Sequence, residues 1–147
     1  MHKKYITINI LLFILLSAVL IYAETSDEMK VKFRKGIEYT NEGKYDQAIQ
    51  QFTQVITDNE GYAYAYMALG IVYINKKMDD EALEILNKAI ELDPSNKRVH
   101  FILAKLYEKK ENNQQALQLW EKYIELKPEK KFMKIAERHM KRLRNAK

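Results

Sequence analysis

The sequence predicts an all-α protein, a solenoid of helix pairs preceded by a hydrophobic N-terminal helix. Three observations carry that prediction. Apolar residues recur at helical spacing along most of the chain, and the pattern returns at a fixed interval. Only four Gly and two Pro among 147 residues leave little room for loops.

The stretch 64–96 shows the unit most clearly. Tyr66, Leu69, Gly70 and Tyr73 fall at spacings of three, one and three, which is one face of a helix. Ala82, Leu83, Leu86, Ala89 and Ile90 make a second helical stripe, which Pro94 helps to end. Neither helix can bury its stripe alone, so the pair packs together and onto its neighbours. A shift of 34 residues restores the pattern in both directions. Downstream it finds Leu103, Ala104, Tyr107, Ala116, Leu117, Trp120, Tyr123, Ile124 and Pro128; upstream, Gly36, Tyr39, Ala48, Ile49, Phe52, Val55 and Ile56.

A 34-residue period with a small residue three before a tyrosine, then Ala followed by a large apolar residue four on, resembles the tetratricopeptide repeat (TPR). The resemblance divides about two thirds of the chain into three units, 29–62, 63–96 and 97–130. It implies a right-handed superhelix that binds other proteins. The units depart from the pattern in places. Tyr66 and His100 stand where Trp is commonest, and Tyr123 stands where Ala is usual. The first unit has Lys32 and Lys35 at the Trp and Leu positions, and Glu60-Gly61 where a proline is usual.

Ahead of the repeats, residues 1–4 carry two lysines and a histidine, and 5–23 run without a charge up to Ala23 and acidic Glu24. A positive n-region, an apolar h-region and a small residue before the acid read as a signal peptide. The run is also long enough to act as a membrane anchor. In either case Lys3 and Lys4 stay inside and the remainder is exported, to a periplasmic or extracellular face. Residues 24–28 form a polar junction, and Thr25 with Glu28 fits a capping box for a helix beginning near Met29.

Helices are expected at roughly 28–41, 46–58, 62–75, 80–92, 97–110 and 114–126. Gly36, Gly70 and Ala104 let paired helices approach closely, and Phe52, Leu86 and Trp120 fill the space around each contact. Residues 131–147 add a basic helix with Phe132, Ile135, Ala136, His139, Met140 and Leu143 on its apolar side, suited to cap the exposed end of the core.

Composition and motifs point away from catalysis. With no Cys there is no disulfide, thiol nucleophile, thiolate metal site or lipobox-type anchor. His2, His100 and His139 are too few and too scattered for a metal site of the usual spacing, and no cofactor is implied. Asp79-Asp80-Glu81 opens a helix, where the dipole favours negative charge. No phosphate-binding glycine loop or serine-nucleophile motif is present.

What remains is surface recognition. A second stripe lies roughly 130° around each first helix at about 100° per residue. It comprises Tyr64, Met67, Ile71 and Ile74 in the middle unit, Lys30, Phe33, Ile37 and Thr40 before it, and Arg98, Phe101, Lys105 and Glu108 after it. In TPR proteins these faces line the concave groove that holds a peptide or partner helix. The resemblance therefore implies a groove with an apolar middle (Phe33, Ile37, Tyr64, Met67, Ile71, Ile74, Phe101) and basic ends (Lys30, Arg98, Lys105). Close stacking of those side chains on one another is the competing reading. TPR domains that clamp the acidic C-terminus of cytosolic chaperones use five Lys, Asn and Arg positions. Their matches here are Phe33, Ile37, Ala68, Arg98 and Ile102, so that clamp is absent.

Charge is uneven. Residues 127–147 carry nine Lys/Arg against two Glu, whereas 24–126 carry 14 against 18. The basic end suits anionic headgroups, an acidic partner or a solvated cap. The expected partner is a protein or peptide and not nucleic acid. Membrane association through 5–23 and a homo-oligomer remain open.

Overall fold

The computed structural model describes the backbone of residues 2–145 and the side chains of residues 12–17 and 27–145. Seven helices follow one another within it: α1 (His2–Asn41), α2 (Tyr45–Asp58), α3 (Ala63–Asn75), α4 (Asp79–Leu92), α5 (Lys97–Lys109), α6 (Asn113–Glu125) and α7 (Lys130–Asn145). No strand occurs among the described residues. Consecutive helices pack on one another, and α1 also touches α3. The pairs α1–α2, α3–α4 and α5–α6 are the three repeats, and α7 closes the row.

The expected helix start near Met29 is corrected. The backbone is helical without a break from His2 to Asn41, so Thr25 lies inside a helix and not at its start. Nothing in 24–28 breaks a helix, because the stretch has neither Gly nor Pro. The apolar run at 5–23 and its cleavage site lie largely outside the residues whose side chains are described. Among the described residues no helix is long and apolar enough to cross a membrane.

The turn inside each repeat recurs with the same geometry. Gly43, Lys77 and Glu111, 34 residues apart, all adopt the left-handed conformation (φ 73°, 62° and 59°). Each is followed by a backbone N–H that reaches five residues back: Lys44 to the Tyr39 carbonyl (2.8 Å), Met78 to Tyr73 (2.9 Å) and Asn112 to Tyr107 (2.9 Å). This closing bond satisfies the carbonyls at each helix end. Only the first turn uses the residue suited to it. Left-handed backbone strains a side-chain-bearing residue, so Lys77→Gly is expected to raise stability by about 0.5–1 kcal/mol, checked by urea unfolding.

Within each repeat the small residue of the first helix faces the large one of the second. A Cβ on Gly36 would sit 2.6 Å from Phe52, and one on Gly70 would sit 2.5 Å from Leu86. In the third unit Ala104 and Trp120 occupy the same register and both are fully buried. Lys32, which replaces an aromatic residue, instead donates to Asp58 (2.8 Å), and that bond raises its pKa. His100 is buried and donates from Nε2 to the Pro94 carbonyl (2.9 Å), which makes it structural. Lys76–Asp46 and Lys110–Asp80 join neighbouring units at the same register. These exposed pairs mark the repeat and contribute little to stability.

Candidate functional site

The first helices of the second and third units, α3 and α5, are not packed side by side as α3 and α4 are. The space between them is a cavity of about 1100 Å³, closed on its far side by the α6–α7 connection and by α7. Ile71 and Ile74 from α3, Phe101, Ile102 and Leu106 from α5, and Phe132 from α7 make its apolar lining. Tyr123 from α6 and Pro128 complete the wall. Burial pushes the Tyr123 phenol above its usual range. Phe101 is held by edge contacts to Trp120 (5.1 Å), Tyr123 (5.5 Å) and Phe132 (6.4 Å).

The charged groups around this cavity differ in what they already hold. Glu108 is the most enclosed, with a side chain only 7% exposed. It accepts from Trp120 Nε1 (2.5 Å), from His139 Nδ1 (2.9 Å) and from the Arg142 guanidinium. Trp120 in turn stacks on His139 (5.0 Å between rings, 23°). Lys109 is paired with Asp79 (2.5 Å), and Lys97 donates to the Lys127 carbonyl (3.1 Å). Arg98 and Lys105 are exposed and, among the described residues, have no carboxylate within ion-pair distance. The cavity thus combines apolar walls with two unspent cations. Among the described residues no three His, Asp or Glu side chains converge where a metal could sit.

Of the groove residues expected from sequence, Ile71, Ile74, Arg98, Phe101 and Lys105 come together on this cavity. The others lie elsewhere. Met67 turns inward and is buried in the core with Leu86 and Leu103. Phe33 packs by its edge on Phe52 and Tyr62 (5.5 Å each). Lys30 pairs with Asp27 (2.9 Å), and Ile37 and Tyr64 are exposed without lining the cavity. The contribution of α7 was missed. One signal for it existed, because Arg142 follows Glu108 by one full period.

A sequence profile described as the tetratricopeptide repeat matches residues 39–106 and, overlapping, 80–131. The chain belongs to the tetratricopeptide-repeat family. Among proteins with curated functions none matches it in sequence. Solved TPR structures resemble it in fold. The Arabidopsis OM64 TPR domain superposes with a TM-score of 0.73 at 20% identity, covering 84% of this chain and 99% of that one. The first TPR of Spaghetti (RPAP3), bound to the HSP90 peptide SRMEEVD, gives 0.72 at 21% identity, covering 80% and 91%. The Yersinia enterocolitica type III secretion chaperone SycD, in complex with a peptide of the translocator YopD, gives 0.75 at 16% identity, covering 80% and 93%. At these identities the likeness is one of fold.

Proposed function

We propose that this TPR chain is an exported, non-catalytic binding module that holds a peptide or partner helix in the cavity between α3, α5 and α7. The observation that carries the reading is the pairing state of the cavity: apolar walls, with Arg98 and Lys105 left without carboxylate partners among the described residues. A ligand of complementary chemistry presents apolar side chains and one carboxylate, from an acidic residue or a free C-terminus. The peptides bound by the Spaghetti and SycD domains support a peptide as the ligand class. The holding group differs from the five-residue chaperone clamp, because Phe33, Ile37, Ala68 and Ile102 offer no charge. Export rests on Lys3 and Lys4 ahead of the apolar run. Intact mass in membrane and soluble fractions separates a cleaved signal from a retained anchor.

The test is selection of peptides displayed on phage against the full chain. Enriched peptides are expected to combine apolar residues with an acidic group. The double variant Arg98→Glu/Lys105→Glu, both at exposed positions, is expected to bind them at least about tenfold more weakly, while Lys88→Glu on α4 leaves binding unchanged. Equal binding by the double variant sinks the reading. A homo-oligomeric structural role is the alternative, favoured by Val31, Ile37 and Tyr64, which are exposed outside the cavity. A mass that stays monomeric in light scattering at rising concentration eliminates it.

A further inference from the structure

Helix α7 continues the 34-residue period without continuing its chemistry. The positions of Tyr66, Leu69, Gly70 and Tyr73 in α3, and of His100, Leu103, Ala104 and Tyr107 in α5, are Lys134, Glu137, Arg138 and Lys141 in α7. In α3 and α5 this face receives the second helix of the unit; in α7 all four residues are exposed. Ending a solenoid requires a polar face there, but it does not require one sign of charge.

The sign is nearly uniform. Lys130, Lys134, Arg138 and Lys141, spaced by four, four and three, form a ridge about 16 Å long at 1.5 Å per residue. Among the described residues none of the four has a carboxylate within ion-pair distance, and Glu137 is the one acid on the helix. The other cations of α7 are occupied: Lys131 by Glu129 (3.9 Å), Arg142 by Glu108 and Arg144 by Glu121 (2.9 Å). Arg138 also breaks the pattern by which a following helix would pack closely on this face. It stands where Gly36, Gly70 and Ala104 allow close approach, and a guanidinium there does not permit the same small-residue contact. The ridge suits a surface read through charge alone.

We propose that the α7 ridge docks on the anionic headgroups of a lipid bilayer. The choice of a bilayer comes from the other end of the chain. Leu12, Phe13, Ile14, Leu15 and Leu16, which together face every side of α1, are each more than half exposed. A helix that is apolar all round and uncovered by protein belongs in hydrocarbon. One apolar segment and one polybasic patch on the same chain reinforce each other at a membrane. The four ridge residues do not line the cavity, so this proposal and the peptide reading fail separately.

The experiment uses the full chain with vesicles of phosphatidylcholine or of phosphatidylglycerol. An apolar segment does not tell the two lipids apart by charge, so the readout must be local: the acylation rate of Lys130, Lys134 and Lys141 by an amine reagent, read by mass spectrometry against Lys77. Each basic residue near an anionic surface strengthens binding by about fivefold, so four give several hundredfold. Acylation of the ridge is therefore expected to slow at least about tenfold on phosphatidylglycerol relative to phosphatidylcholine, and to recover in high salt. In Lys134→Gln/Arg138→Gln/Lys141→Gln, whose exposed sites leave the fold and its helical circular dichroism intact, protection of Lys130 is expected to vanish. Equal acylation on the two lipids overturns the proposal. Protection by a DNA duplex without protection by phosphatidylglycerol overturns it in favour of nucleic acid. Protection that appears with protein concentration, vesicles absent, overturns it in favour of a second copy.

Discussion

Trp120→Ala is expected to lower stability by about 4 kcal/mol, the largest loss available from one side chain in this protein. The ring is fully buried and sits where α5, α6 and α7 meet. Removing it leaves a void against Phe101 and Tyr123 and strips the stacked face from His139. It also takes the indole N–H from Glu108, whose carboxylate is nearly enclosed and loses one of its three donors. Solenoid contacts reach only nearest neighbours, so the damage is local. Hydrogen exchange is therefore the informative measurement: α6 and α7 are expected to lose protection while α2 and α3 keep theirs. Uniform loss across all seven helices would show that the repeats unfold as one unit and that the local picture is wrong. Because Phe101 and Phe132 line the cavity and pack in the same cluster, this variant is also expected to lose peptide binding.

Gly70→Val is expected to cost about 3 kcal/mol, the upper end for overpacking a core. The added Cβ would lie 2.5 Å from Leu86 Cγ and 2.7 Å from its Cδ2. Leu86 has no exposed surface and cannot swing away. In the third repeat the backbones leave room for one Cβ at the same register, because Ala104 stands there opposite Trp120. Leu86→Ala alone opens a cavity, yet combined with Gly70→Val it accepts the new methyls. A double-mutant cycle is expected to show at least about 1 kcal/mol of favourable coupling. Simple additivity would mean that helices α3 and α4 separate to relieve the clash instead of meeting at this contact.

The fold was legible because it is a periodic statement. The 34-residue interval, the small residue opposite a large one, and the switch to charge in the last helix are all visible as residue types at fixed spacing. Each turn could be placed the same way, although only Gly43 announced its left-handed backbone. Lys77 and Glu111 take that conformation because the repeat imposes it. The helix start near Met29 failed for the converse reason. Thr25 and Glu28 satisfy a local pattern, but a capping pattern ends no helix when the residues before it are themselves good helix formers.

The sequence by itself determined three repeats, the boundaries of their helices apart from the start of the first, their core and the charged face that ends the solenoid. Only the tertiary structure decided which members of the second stripe form a site. Periodicity gives the angle of a residue about its own helix axis and says nothing of the distance to the next axis or of what covers it. Met67 and Ile71 share a stripe, yet Met67 is enclosed by Leu86 and Leu103 while Ile71 reaches a cavity. Arg98 and Glu108 likewise share a helix. Glu108 is consumed by Trp120, His139 and Arg142, and Arg98 is left open, because α7 folds across one end of α5. Whether a charge is available depends on its partners in space, and those partners lie up to 34 residues away.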